Sequence, residues 1–410
     1  MGTPARGSPR GLRYDGIGGA VHYVGHHRAD RDDRGARGAA RAVGPRLDQG
    51  AVVVRDIDPR LLEPVQPKDG TAGLERPTAL LEHLSEAPEP LVELANRPVV
   101  SARQFRREAT LQLCRLAALY ETTPALYQLP LSGKIMISAF FEPSTRTRLS
   151  FESAWHRLGG DVMSITDPRG TGIAKGESLA DVAEMFNNYG DVVTLRDSSE
   201  NAVYEMLETL RIPMLNAGNG VDEHPTQALA DLYTLLKWRP ELTMHEVPNE
   251  RRVRIGIIGV PARMRTVRSL LLFLARFPAA IEEVVIIVNA DDVFAEGQRE
   301  ELEESGLKLR VARVLNRELP ELDVIYINSI AWVGDTYQEL GAELRLSAAS
   351  PLKPGAVILH PLARGAELSP DLDTTAHNWY FAQARGAVFV RMALLTCVTQ
   401  RIGQVMDTGA

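Results

Sequence analysis

Ser144, Thr145, Arg146, Thr147 and Arg148 stand together after an apolar run, "GKIMISAFF". They open a segment in which Phe151, Ala154, Trp155 and Leu158 recur at helical spacing. Hydroxyl and guanidinium groups at a helix opening are equipped to hold an anion. The unpaired N–H groups of a first helical turn and the helix dipole favour negative charge there. Arginine adds a planar fork that pairs two oxygens at once. Arg146 and Arg148, two positions apart, do not face alike on a helix. Arg146, nearer the opening, is the ligand candidate. The alternative is a Ser144 N-cap followed by solvated arginines.

His224 and Gln227 lie three residues apart on one helical face. A neutral imidazole can donate to a carbonyl oxygen, and a glutamine amide can hold a neighbouring amine or amide. The pair suits an oxyanion developing during acyl transfer; the alternative for His224 is an ordinary cap or core histidine. Arg196 closes "DVVTLR", Arg265 follows "IGIIGVPA", and His360, Pro361 and Leu362 follow "GAVIL". Lys175, in "GIAKGESLAD", is either a mobile cation that closes over an anionic ligand or a solvated loop charge. His22, His26 and His27 lack carboxylates or thiolates at ligand spacing, so no metal site is expected there.

These groups need strands and helices to hold them. "SARQFRREATLQLCRLAALYE" puts Phe105, Ala109, Leu113, Leu116 and Tyr120 on one helical face. "GKIMISAF", "DVVTLR" and "IPMLNA" read as buried strands, with a helix in "SSENAVYEMLETLR". "HPTQALADLYTLLKW" is a helix with Pro225 in its first turn and Ala228, Leu232, Leu235 and Leu236 as its apolar stripe. Charged "RPELTMHEVPNERR" marks a boundary. Beyond it, the strands "VRIGIIGV", "EEVVIIVN", "LDVIYIN" and "GAVILHP" alternate with helical text such as "MRTVRSLLLFLARF". The predicted fold is α/β: two parallel-sheet domains with an interdomain active-site cleft beyond the carboxyl ends of the strands.

The expected divisions are an N-terminal extension over 1–95, a first α/β domain over 96–242, a second α/β domain over 250–385, and a C-terminal helix over 386–405 packing across the junction. The extension is rich in Gly, Arg, Asp and Pro without lasting period and reads as disordered or loosely packed. A short helix is expected within Thr78–Ala95.

The composition narrows the function. The 410 residues carry a net charge of -7, with 44% hydrophobic and 24% charged residues. That balance gives no support for nucleic-acid binding. No run of eighteen apolar residues suggests a membrane role. The cysteines, Cys114 and Cys397, sit in apolar contexts that suit a reducing cytoplasm. "GIIGVPARM" lacks the G-x-G-x-x-G of dinucleotide sites, and there is no P-loop.

Several long strings resemble the aspartate/ornithine carbamoyltransferase family, closer to its aspartate branch. They are "FFEPSTRTRLSFESAWHRLGGDV", "KGESLAD", "LNAGNGVDEHPTQALADLYTL", "RMRTVRSL", "ILHPLARGAEL" and "HNWYFAQARGAVFVRMALL". The resemblance covers roughly residues 95–405. It implies that Ser144, Thr145, Arg146 and Thr147 hold the phosphate of carbamoyl phosphate. Arg196 and His224 would lie at its carbonyl and Gln227 near its nitrogen. Arg146, Arg196, His224 and Gln227 would be the catalytic set. Leu362 would contact the carbamoyl group through its backbone, and Arg265 the acceptor carboxylate. Lys175 would belong to a loop reaching a neighbouring subunit, which implies a homotrimer with shared active sites. No metal or organic cofactor is implied. Thr171 falls where aspartate enzymes usually carry the loop serine.

The acceptor half departs from that pattern. Aspartate enzymes place an arginine and a glutamine two residues apart where this chain has Ser329 and Ala331, and "HPLPR" where it has "HPLAR", with Ala363. The ornithine pattern is not restored either; Asn328, Ser329, Trp332, Val333 and Gly334 occupy the segment, with Asn328, Ser329 and Trp332 as acceptor-binding candidates and core filling as the alternative for Trp332. On these residues the expected activity is carbamoyl transfer to a non-standard small amine acceptor, giving a ureido product and phosphate. A non-catalytic or regulatory paralogue is the alternative, and a conventional aspartate enzyme the third reading.

Overall fold

The structure is a computed structural model describing residues 76–123, 129–328, 330–333, 336–339 and 344–408; for 330–333 and 336–339 it describes the backbone. The chain begins with α1 (Arg76–His83), α2 (Glu89–Val92) and α3 (Arg107–Thr122). The first sheet follows, as β1 (Ile135–Phe140), α4 (Thr145–Arg157), β2 (Asp161–Ile165), α5 (Leu179–Tyr189), β3 (Val192–Asp197), α6 (Ala202–Leu207), β4 (Met214–Asn219) and α7 (Pro225–Trp238). Its strands are all parallel, in the order β2-β1-β3-β4.

The second sheet grows from β5 (Val253–Ile258), α8 (Arg265–Leu274), β6 (Ile281–Ile287), α9 (Gln298–Glu304), β7 (Leu309–Ala312), α10 (Leu315–Glu318) and β8 (Val324–Ile327). A hairpin of β9 (Ile330–Val333) and β10 (Thr336–Glu339) precedes β11 (Val357–Leu359) and the long α11 (Tyr380–Val398). This sheet is also parallel, in the order β11-β8-β5-β6-β7. Two α/β domains with parallel sheets therefore face one another across a cleft, as the alternating pattern predicts.

Central strands are apolar because both of their faces are covered. Met136, Ile137, Ala139 and Phe140 of β1 are buried, as are Ile255, Ile257 and Ile258 of β5. The edge strands β2 and β7 escaped the sequence reading for the complementary reason. They are short and largely exposed, so neither a continuous apolar run nor a clean alternation marks them.

The helix predicted from Ser101 begins at Arg107. Before it, Ser101 and Gln104 form a capping box around a separate 3-10 turn. Its predicted apolar face holds, with Phe105, Ala109, Leu113, Leu116 and Tyr120 all buried. Within the stretch read as an extension, α1 and α2 pack on the body, burying Leu80 and Leu91 completely. His22, His26 and His27 lie outside the described residues.

α11 is long and apolar enough to cross a membrane, but 78% of it is buried within the protein. It lies against α3, α7 and α4 of the first domain and touches β11 of the second. Arg391 is buried on this helix, its guanidinium 4.8 Å from the Phe151 ring of α4. That contact props the helix carrying the Ser144–Thr147 cluster.

Candidate active site

A cavity of about 390 Å³ opens between the two sheets at the carboxyl ends of their strands. Its first wall is Ser144–Thr147 at the start of α4, Arg196 at the end of β3, and Gly220, Val221, His224 and Gln227 around the start of α7. The facing wall is Arg263–Thr266 between β5 and α8, Asn328 after β8, and Pro361, Leu362 and Ala363 after β11. The structure thus brings together ten of the predicted residues: Ser144, Thr145, Arg146, Thr147, Arg196, His224, Gln227, Arg265, Asn328 and Leu362. Ser329 and the Trp332 side chain lie outside the described residues. Lys175 is exposed at the end of a 3-10 turn and does not line the cavity.

The two arginines of the helix mouth face apart, as their spacing on a helix predicts. Ser144 is the N-cap of α4, but its side chain makes no capping hydrogen bond. Arg146 lines the cavity, where desolvation pulls its guanidinium pKa down. Arg148 turns away and pairs with Glu152 at 3.0 Å, one helical turn on.

Glu142, just ahead of this cluster, was not singled out in the sequence. It receives Arg196 Nη2 on Oε1 at 2.6 Å, and Arg265 on both oxygens at 3.0 and 3.1 Å. Arg265 also donates to the Gly220 carbonyl, and Arg196 to that of Ala217 at 3.2 Å. Gly218, between those carbonyls, has φ +112°. A Cβ there would stand 3.0 Å from Arg196 Nη1 and 3.2 Å from Arg265 Nε, so glycine is required for the approach. One signal was available in the sequence: an acidic residue two positions ahead of a cationic anion cluster needs a cationic partner.

His224 is buried at the N-cap of α7. Its backbone N–H donates to Ser269 Oγ at 2.9 Å, and Ser269 donates to Glu223 at 3.0 Å. Burial and the nearby Arg196, Arg265 and Arg391 hold its pKa well below the usual histidine value. The ring is therefore neutral at physiological pH. Its Nε2 lies 3.5 Å from Thr147 Oγ1 and its Nδ1 is buried without a partner among the described residues. A neutral imidazole on the wall of this cavity can donate to an anionic oxygen without adding charge of its own.

Gln227 is oriented from beneath. Its Nε2 donates to Asp231 Oδ1 at 2.7 Å, which leaves its carbonyl oxygen for an N–H donor. Gln383 of α11 donates to the same Asp231 oxygen at 2.6 Å, and its own oxygen receives the His360 N–H at 2.8 Å. His360 Nδ1 in turn accepts from the Leu362 N–H at 2.8 Å, and its Nε2 lies 2.9 Å from Glu367. A buried chain of hydrogen bonds therefore joins Gln227 on one wall to Leu362 on the other. Leu362 has φ 55°, and the Leu362–Ala363 peptide is cis. None of Asp231, Gln383 or Glu367 was anticipated, because each acts through a neighbour and carries no local motif.

Comparison with known proteins fits this geometry. Residues 97–237 match the carbamoyl-phosphate-binding domain of aspartate/ornithine carbamoyltransferases, and residues 251–398 match their Asp/Orn-binding domain. The chain belongs to the aspartate/ornithine carbamoyltransferase family. It is 38% identical over 320 residues to an aspartate carbamoyltransferase catalytic subunit of Methanopyrus kandleri, covering 74% of this chain and 97% of that one. The corresponding catalytic subunit of Chromobacterium violaceum is 35% identical over 313 residues, covering 73% and 97%. Among solved structures, aspartate transcarbamoylase from Trypanosoma cruzi in complex with N-(phosphonacetyl)-L-aspartic acid superposes with a TM-score of 0.67. It is 32% identical, covering 77% of this chain and 99% of that one. The chain is a carbamoyltransferase of the aspartate branch.

These relatives correct the expected non-standard amine acceptor. The similarity runs through the whole acceptor domain, and the proteins that share it are aspartate carbamoyltransferases. The cavity supplies a physical reason. Among the described residues, four arginines and no carboxylate line it, a lining that suits anionic groups. Ser329, Ala331 and Ala363 were too narrow a basis against a similarity that spans the acceptor domain.

Proposed function

We propose that the protein transfers the carbamoyl group of carbamoyl phosphate to the amine of aspartate, giving N-carbamoylaspartate and phosphate. The observation that carries this reading is a cleft with cationic groups on both walls and, among the described residues, no lining carboxylate. Glu142 neutralises one of the two arginines it grips, so the four arginines leave three net positive charges. That balance suits two polyanionic substrates bound together.

Ser144–Thr147 and the first turn of α4 hold the phosphate, with Arg146 as its bidentate partner. Arg196 and His224 face the carbamoyl oxygen, Gln227 orients the carbamoyl nitrogen, and the Leu362 backbone closes the far side. Arg265 and Asn328 lie on the acceptor's side. The attacking amine arrives neutral, since an ammonium has no lone pair. As it adds to the carbamoyl carbon, negative charge grows on the carbonyl oxygen, where Arg196 and neutral His224 stabilise it. The C–O bond to phosphate then breaks, and the departing phosphate takes the amine proton, so no side-chain base is required.

Lys175 stands away from its own cleft, which supports a loop that serves a second copy in a trimer. Exposed Leu149, Met163 and Met185 on the same domain support a partner there. Two buried, unpaired cysteines support a cytoplasmic setting. The decisive test gives the purified full chain carbamoyl phosphate with aspartate or ornithine, measuring phosphate and ureido product. N-carbamoylaspartate is expected, and its absence while ornithine is carbamoylated overturns the reading.

A further inference from the structure

We infer that Arg263 is the specificity-determining cation for the acceptor's side-chain carboxylate, a role that rests on the aspartate reading above. An acceptor with two carboxylates needs two cationic contacts on the second-domain wall. Of the arginines lining the cavity, Arg146 belongs to the helix mouth of α4, on the phosphate side. Arg196 and Arg265 are both bound to Glu142, and Arg265 engages it through two nitrogens while donating a third hydrogen bond to Gly220. Arg265 therefore meets a ligand with part of its donor capacity already used.

Among the described lining residues, Arg263 is the remaining cation. It lines the same wall as Arg265, Thr266 and Asn328, its side chain is exposed, and no described carboxylate pairs with it. The sequence after Asn328 carries serine at 329 and alanine at 331, so neither position supplies charge. The backbone under Arg263 is fixed even though its side chain is accessible. Ala262 N–H donates to Val293 at 3.1 Å and Arg263 N–H to Val260 at 3.0 Å. Met264 is buried against Gly259, where any Cβ would meet its sulfur at 2.5 Å. A guanidinium fork on an anchored turn at the mouth of an anion cavity is placed to clamp a carboxylate bidentately. The rival account is a solvated loop arginine with no ligand.

The test uses the full chain with Arg263→Ala and Arg263→Lys. Steady-state kinetics are measured with each substrate varied, together with inhibition by succinate, which keeps both carboxylates and lacks the amine. The Ala variant is expected to raise KM for aspartate and the inhibition constant for succinate by roughly tenfold or more, from the loss of a charged hydrogen-bonding partner. Its KM for carbamoyl phosphate stays within about twofold, and Lys restores part of the loss. An unchanged KM for aspartate and unchanged succinate inhibition overturn the inference while leaving the aspartate reading intact. A native protein that carbamoylates no aspartate sinks the functional reading instead. Calorimetric titration of succinate in the presence of phosphate then still judges Arg263: equal binding by native and Ala proteins overturns it.

Discussion

Glu142, just beyond β1 in the first domain, grips Arg265 at the start of α8 in the second through hydrogen bonds of 3.0 and 3.1 Å. The same carboxylate holds Arg196, so the two walls of the cleft meet at one buried anion. Replacing it with a neutral amide would leave two neighbouring guanidiniums without their shared counter-charge. Glu142→Gln is expected to lower kcat/KM by roughly 100-fold, because small misplacements of reacting groups cost that much. KM should rise for both substrates, which steady-state kinetics will read. A change confined to thermal stability would assign Glu142 a purely structural role.

Arg146 and Arg148 should respond very differently to mutation despite their proximity. Arg146→Lys keeps the charge but loses the planar fork, and a drop of roughly 100-fold in kcat/KM for carbamoyl phosphate is expected. Arg148→Gln removes an i,i+4 pair with Glu152. Such pairs contribute about 0.3–0.5 kcal/mol, so activity should stay within about twofold of the native value. Kinetics on the two variants in parallel will separate the ligand from the structural partner.

His224 makes a pH prediction with a definite sign. Its native pKa lies well below 6.5, so below about pH 6.5 the unfolded chain takes up a proton that the native site refuses. This histidine's share of stability is complete above that pH and is lost as pH falls. His224→Gln should flatten the stability profile on the acid side and reduce kcat by roughly 100-fold through loss of an oxyanion donor. Urea titrations at several pH values provide the first readout. Imidazole resonances that report a charged His224 at pH 7 would contradict it.

Asp231 carries the opposite sign. Burial pushes its carboxyl up to about 7 from 3.8. Between roughly pH 4 and 7 the native state keeps a proton that the unfolded chain has released, so this group's contribution to stability declines as pH rises through that window. Asp231→Asn keeps an acceptor for Gln227 and Gln383 and should flatten that decline while retaining most activity. Asp231→Ala leaves both amides without their acceptor, at a cost of about 1–3 kcal/mol. It should lower kcat more than it alters KM for aspartate, with Tm falling by several degrees; a kcat equal to that of the Asn variant would dissolve the proposed orientation of Gln227.

Much of this molecule was legible in its sequence because its signals are local. The carboxyl ends of β1, β3, β4 and β5 all deliver polar residues to one cavity, and each was marked by an apolar run ending in a polar cluster. The Arg146 and Arg148 division could be read from helical geometry alone. What stayed hidden depends on distant partners. Glu142 looks like an ordinary acidic residue until Arg265, 123 positions later, folds onto it. Asp231 and Gln383, 152 positions apart, form one unit only because α11 returns to the first domain. The acceptor was misread for a related reason: two substituted positions were visible, whereas the positive field of the whole cleft is a property of the folded chain.

The route of α11 also bears on how the protein is made. This helix supplies Ala393, Leu394 and Leu395 to the interior of a domain whose other helices were laid down by residue 238. During synthesis those earlier helices emerge from the ribosome with an apolar face uncovered, and it remains so until the second sheet has also been translated. The nascent donor domain must therefore wait in an incomplete form. A ribosome stalled before residue 380 should hold a chain that is protease-sensitive in α3 and α7, while one stalled within an added C-terminal linker long enough to carry α11 out of the exit tunnel should not.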